Sequence, residues 1–192
     1  VLLQASFTSF VFLGANFGDV TLAANQVLLQ FLEITAYGLD GFAFAAESLI
    51  GQAVGAKSAR SVRRASIATS QWGVGGSVVL GLFFWIAGPS IIDLMTTEPE
   101  VRSAARHYLG WVALAPAIGI ASWMFDGIFI GATLSREMRN TMLLSVTIYL
   151  AALLTLPAAW GHHGHWAALT VLNVARGATR ATLYPNEGDA GA

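Results

Sequence analysis

The chain has 192 residues, of which 55% are hydrophobic and only 11% are charged, and its net charge is −1. Soluble domains carry about 25% charged residues, so this composition excludes an ordinary soluble protein and indicates an integral membrane protein. The near-zero net charge gives no sign of a nucleic-acid partner, and the lack of cysteine excludes disulfides and thiolate metal sites.

Six apolar stretches follow one another along the chain, and we predict from them an all-α polytopic membrane protein, a bundle of six transmembrane helices. The first stretch begins without a Met or a charged segment, so we expect the sequence to be a fragment with a truncated first helix. We expect one helical domain at 1–183 and a polar tail at 184–192. The candidate spans are 1–17, 22–53, 69–95, 107–132, 140–159 and 166–183.

Basic residues are concentrated in alternate loops. Eight of the ten lie after the second and fourth spans or at the end of the sixth, a side that the positive-inside rule assigns to the cytoplasm. We therefore predict an inner-membrane protein with both chain ends in the cytoplasm. These residues are Lys57, Arg60, Arg63, Arg64, Arg136, Arg139, Arg176 and Arg180.

Three acids lie on one face of the second span. Glu33, Asp40 and Glu47 follow Gln26 at intervals of seven residues, two helical turns with a drift of about 20° per step. At roughly 1.5 Å per residue, the acids span about 21 Å of a ~30 Å hydrocarbon core. Burial disfavours the charged form of a carboxylate, so such a group can exchange protons. The alternative is that these acids are structural hydrogen-bond partners.

Asp126 is a fourth acid inside a predicted span. The stretches LDGFAFAAE (39–47) and FDGIFIGAT (125–133) share an Asp-Gly pair, as an internal repeat would. Two G-x-x-x-G patterns, from Gly51 to Gly55 and from Gly127 to Gly131, predict close helix packing and no chemistry.

The segment GHHGH contains His162, His163 and His165 between the fifth and sixth spans. Three histidines in four residues can bind a transition metal, but no carboxylate is close in sequence. We expect a solvated exterior turn without a metal. The sequence contains no phosphate loop or H-E-x-x-H motif, so we predict no enzymatic activity.

The segment LDGFAFAAESLIGQAVGA (39–56) resembles the eighth helix of MATE multidrug and toxin extrusion transporters, in the DinF-like bacterial branch. Further segments match the family in the same order. They are FLGANFGDVTLAANQVLLQ (12–30), FDGIFIGAT (125–133), SREMRN (135–140) and ARGAT (175–179).

The resemblance implies a twelve-helix fold of two lobes, of which this chain is the second. It implies a missing N-terminal six-helix lobe as partner, the lipid bilayer as environment, and proton- or sodium-coupled antiport of small amphipathic organic cations by alternating access. No cofactor is implied besides the coupling ion.

The resemblance also bears on the site. In DinF-like members the best-attested proton-handling acid lies on the first helix, outside this chain. NorM-like relatives carry acids on helices seven and ten. Asp126 falls where the helix-ten acid would be, and residues 1–18 contain no counterpart of the helix-seven acid. We expect substrate or cation binding at Asp40 and Asp126, and then at Glu33 and Glu47.

Two alternatives remain at this point. A lipid-linked precursor flippase of the same superfamily would need basic residues in its cavity, whereas spans one to five hold no Lys or Arg at depth. A truncated fragment that does not transport is the other alternative.

Overall fold

The computed structural model describes residues 2–184, which fold into helices with no strand in that range. The predicted all-α class is therefore confirmed. Four helices are long and apolar enough to cross a membrane, α2 to α5. Of the polar tail predicted at 184–192, only Tyr184 is described, and residues 185–192 lie outside the described residues. The elements are α1 (Leu2–Gly14), a short 3₁₀ helix (Ala15–Phe17), α2 (Asp19–Gly55), α3 (Ala59–Met95), α4 (Pro99–Gly131) and α5 (Ser135–Ala181).

Large apolar side chains cover much of the outer surface. Leu94 is 88% exposed, and Ile86 and Leu154 are each 78% exposed. Soluble monomers rarely expose apolar patches of this extent, whereas a hydrocarbon environment requires them. The surface therefore agrees with the multi-pass membrane protein that the composition predicts.

Helix α5 reverses direction at Gly161. This residue has a φ of 56°, a left-handed conformation that glycine adopts without steric cost. The two halves of α5 then lie side by side, with Ser145 Oγ 3.3 Å from Thr179 Oγ1. The fifth and sixth predicted spans thus correspond to the two halves of α5, joined by one residue in place of the expected loop.

Helix α4 is the central element and packs against α2, α3 and α5. Its contact with α2 depends on glycines. A Cβ at Gly127 would overlap the carbonyl oxygen of Ala43, and one at Gly131 would lie 2.5 Å from the carbonyl oxygen of Glu47. The packing role predicted for this G-x-x-x-G pattern is confirmed. In the other pattern, Gly55 faces open space.

The turns that join α2 to α3 and α4 to α5 have the same conformation. Lys57 and Thr133 occupy equivalent positions, with φ of 51° and 59°. Ala56 N–H donates to the carbonyl four residues earlier at 3.0 Å, and Ala132 N–H does the same at 2.9 Å. The α2–α3 and α4–α5 turns are therefore structural repeats.

The sequence of these turns repeats in the same register. Each reads Gly-Ala, then three residues, then Arg-x-x-Arg. In this alignment Arg60 corresponds to Arg136, and Arg63 corresponds to Arg139. In this register Asp126 corresponds to Ile50, so the two Asp-Gly pairs are not equivalent. An internal repeat exists, but it lies at the turns and not at the acids.

Substituting Gly127 by Ala tests the helix crossing. The added methyl group overlaps the α2 backbone, which cannot move aside as a flexible side chain would, so we expect a loss of about 1–3 kcal/mol in the free energy of unfolding. Gly41→Ala is the matched control, since its Cβ would meet open space. Unfolding in detergent measures both; equal losses would contradict the close crossing.

Candidate functional site

The polar seam of α2 lies on a face that this chain does not fully cover. Gln26 and Glu33 are exposed, and Asp40 and Glu47 are half-buried. On the opposite face Leu28 is fully buried in the core. The periodicity of the sequence therefore identified one continuous face, which is exposed at Gln26 and Glu33 and partly covered at Asp40 and Glu47.

Glu33 lies in a groove between α1 and α2. The groove has a volume of about 590 Å³ and combines apolar walls with several amide and hydroxyl groups. Glu33 is the only ionisable carboxylate in its lining. Clefts of this size, mostly apolar with a few polar groups, are typical of small-molecule sites. The other polar residues that line the groove are Gln4, Thr8, Gln26, Gln30 and Tyr37.

Asp126 is bound by two arginines from the end of α5. Arg176 Nη2 donates to Asp126 Oδ2 at 2.5 Å, and Arg180 Nη1 lies 2.7 Å from Asp126 Oδ1. The arginine side chains are 6% and 1% exposed, and Arg180 Nη1 also donates to the carbonyl oxygen of Ser122. The charge of Asp126 is thus neutralised inside the protein.

Sequence reasoning missed this cluster because it counted Arg176 and Arg180 among the cytoplasmic cations, whereas the structure buries both against Asp126. They are four residues apart and so share one helix face. Two cations on one face of an otherwise apolar helix are the signal that points to a buried acid. The sequence does not show which acid this is, because Asp126 is 50 residues from Arg176.

Asp40 lies beside this cluster without joining it. It is half-buried, and the charges of Asp126 and Arg176 are close enough to act on it. Among residues 2–184, no Lys or Arg forms an ion pair with Asp40. The cluster therefore holds one acid and two arginines, and Asp40 is an acid beside it without a fixed cation in the described range.

Glu47, the fourth predicted site residue, lies apart from the others. It lines a shallow pocket of about 440 Å³ with Phe44, Ser48 and Ile130, near the end of α2. The structure therefore does not gather the four acids into one site. Asp40 and Asp126 are neighbours, while Glu33 and Glu47 lie in separate pockets.

The expectation of a solvated GHHGH turn is wrong, because two of its histidines are buried. His162 Nε2 lies 2.9 Å from the side-chain oxygen of Asn25, and His165 Nε2 donates to the carbonyl oxygen of Phe10 at 2.7 Å. The His165 ring also stacks on Phe10. These partners are more than a hundred residues away in sequence, so the local pattern did not reveal them.

His163 is exposed and links α5 to His107 and Trp111 of α4. Trp111 Nε1 donates to His163 Nδ1 at 3.2 Å, and His163 Nε2 lies 3.1 Å from His107 Nε2. Because Nδ1 accepts a hydrogen bond, the proton of a neutral His163 is on Nε2, which donates to His107. No group of three or more metal-ligating side chains occurs in the described part of the chain.

Comparison with known proteins agrees with this architecture. The family model MatE matches residues 1–160. The chain belongs to the MATE family of membrane transporters. It is 37% identical over 185 residues to DNA damage-inducible protein F of Escherichia coli K12, which covers 96% of this chain and 40% of that protein. The resemblance noted from the sequence is therefore confirmed.

More distant relatives belong to other branches. The chain is 33% identical over 165 residues to a probable multidrug resistance protein NorM of Pseudomonas syringae pv. tomato, covering 80% of this chain and 34% of the relative. It is 24% identical over 159 residues to the chloroplastic protein DETOXIFICATION 45 of Arabidopsis thaliana, covering 83% of this chain and 28% of the relative. The chain thus spans about 40% or less of the length of these relatives.

Asp126→Asn tests the role of the buried ion pairs. It leaves two buried arginines without a carboxylate, and breaking a buried pair in this way costs about 3–5 kcal/mol of unfolding free energy. Asp93→Asn is the matched control, because Asp93 also pairs with two arginines, Arg102 and Arg106, but is 38% exposed. We expect that control to lose about 0–1 kcal/mol. Chemical unfolding in detergent measures both; similar small losses would refute a structural role for Asp126.

His165→Leu tests the buried side of the GHHGH segment. The change removes the hydrogen bond to Phe10 and the ring stacking, so we expect a loss of about 1–3 kcal/mol of unfolding free energy. His163→Leu serves as the exposed control, since water can replace its partners there. Thermal unfolding in detergent compares the stability of the two variants. An equal loss of stability in both would mean that the burial of His165 does not stabilise the fold.

Proposed function

We propose that this chain forms the second lobe of a MATE-type antiporter that exports small amphipathic organic cations, with protons or sodium as the coupling ion. Family membership supports transport as the function. One structural observation supports the substrate class, namely the open polar face of α2 that carries Glu33 and Asp40 across a bundle coated with apolar side chains.

The charge of this face favours a cationic substrate. Glu33 contributes a carboxylate to a groove that Phe7 and Tyr37 also line, and aromatic faces attract organic cations. The two arginines that pair with Asp126 are 6% and 1% exposed, so they are not accessible to the pyrophosphate of a lipid-linked precursor. The flippase alternative is therefore the less favoured of the two.

Asp40 and Asp126 have different roles in this proposal. Asp126 is held by two arginines and positions α5 against α4. Asp40 faces the same cluster but keeps its carboxylate available for a proton or a cation. Binding of a proton or a cation at Asp40 changes the net charge of this region by one. It shifts the balance between the inward-open and outward-open states only if the two states bind that ion with different affinity.

The lobe in this proposal crosses the inner membrane six times, with both ends in the cytoplasm. The reversal at Gly161 divides α5 into two crossings, which with α1 to α4 make six, because Ser145 and Thr179 lie side by side. The short helix α1 makes the first crossing. The N-terminal lobe covers the open face of α2 and closes the cavity.

Asp40→Asn and Glu33→Gln separate coupling from substrate binding. In the complete transporter reconstituted in liposomes, we expect Asp40→Asn to reduce gradient-driven export of an organic-cation dye at least tenfold, equivalent to ~1.4 kcal/mol. We expect Glu33→Gln to raise the KM for the dye while export stays gradient-dependent, because the groove loses its only negative charge.

Glu100→Gln is the control, since it removes an exposed acid from the first turn of α4, outside both sites. Full gradient dependence in Asp40→Asn would refute the coupling role. Competition by a lipid pyrophosphate in place of organic cations would favour the flippase. Absence of any export by the complete protein would leave the non-transporting alternative.

A further inference from the structure

The repeated turns carry a pattern that the transport proposal does not use. Six exposed cations lie in the two turns and in the helix starts that follow them, and the only acid in these segments is Glu137. The ion pairs found within residues 2–184 involve Asp93 and Asp126 only, so none of the six is paired with an acid there. The six are Lys57, Arg60, Arg63, Arg64, Arg136 and Arg139.

Helix stability does not explain these arginines. Arg60 and Arg136 each occupy the second residue of a helix, α3 and α5, and Arg63 and Arg139 follow one turn later. The positive N-terminal end of a helix dipole disfavours cations at these positions. Their recurrence in both helical hairpins, α2–α3 and α4–α5, therefore indicates a ligand or surface with negative charge.

The residues one turn further along each helix identify the kind of ligand. Ile67 lies four residues after Arg63, and Leu143 lies four residues after Arg139, so each pair shares a helix face. Ile67 and Leu143 are both 49% exposed. Each hairpin thus presents an arginine pair above an exposed aliphatic side chain, the arrangement that fits a phosphate headgroup above an acyl chain.

We propose that each hairpin holds one anionic glycerophospholipid, with its phosphate bound by Arg60 and Arg63 at one site and by Arg136 and Arg139 at the other. The guanidinium group matches phosphate geometry with paired N–H donors. Basic residues next to a membrane span are attracted to anionic lipid surfaces. Because the turns repeat, the sites are equivalent and the expected stoichiometry is two lipids per chain. Lipid binding here is independent of what the protein transports.

The shared chemistry is a phosphate monoanion, which a lipid headgroup or a free phosphate can supply. The exposed Ile67 and Leu143 favour the lipid, since a soluble anion gains nothing from an aliphatic neighbour. The test therefore compares phosphatidylglycerol with phosphatidylcholine of the same acyl chains, and adds inorganic phosphate as a competitor.

Native mass spectrometry of the purified chain, released from detergent with each lipid, counts the bound molecules. We expect two phosphatidylglycerol molecules on the unaltered chain and one on the double variant Arg60→Gln, Arg63→Gln. We expect one on the double variant Arg136→Gln, Arg139→Gln, and none when all four are changed. The control is Arg102→Gln with Arg106→Gln, which removes two arginines that already pair with Asp93 and should leave two lipids bound.

Several results would overturn the proposal. These are retention of both lipids by the fourfold variant, equal retention of phosphatidylcholine, displacement by inorganic phosphate, or equal loss in the control. If the fourfold variant does not fold, the unaltered chain still decides the question. Raising the ionic strength should then lower phosphatidylglycerol retention at least tenfold, and retention that is insensitive to salt contradicts an electrostatic headgroup site.

Discussion

The architecture depends on the point where the backbones of α2 and α4 touch. Gly127 and Gly131 allow this approach, because any side chain there would overlap the carbonyl groups of Ala43 and Glu47. Without a hydrophobic driving force between helices in lipid, such close van der Waals packing is a main source of association. Helix α4 consequently becomes the element on which α2, α3 and α5 are assembled. Asp126 lies next to this crossing, and the two repeated turns follow directly after it.

The second organising factor is the balance of charge in the interior. Arg176 and Arg180 both pair with Asp126, and Asp40 lies outside this group. Because the arginines come from the last turns of α5, the group also fixes the returning half of that helix against α4. A buried charge is tolerated at this depth only when it is compensated. The ion pairs of Asp126 thus stabilise the fold without involving Asp40.

The sequence was sufficient for features that depend on local periodicity and composition. The helical spans, the open face with Glu33 and Asp40, and the packing role of Gly127 all follow from spacing along one helix. The features that it did not reveal depend on long-range contacts. The pairing of Asp126 with Arg176 and the burial of His165 against Phe10 join residues 50 and 155 positions apart. No single-helix pattern specifies which distant group meets which, so a solvated turn was the natural but wrong expectation.

The reversal at Gly161 has a consequence for the outer surface of the protein. One residue joins the two halves of α5, and the histidines that follow it are either buried or hydrogen-bonded to α4. This end of α5 presents packed aromatic and imidazole rings, and no loop projects from it for a protease or an antibody to bind. An epitope tag inserted there would have to displace His162 from Asn25 before it became accessible. Tags for topology mapping therefore belong at the Gly18 or Thr96 turns, where the backbone already leaves the helix.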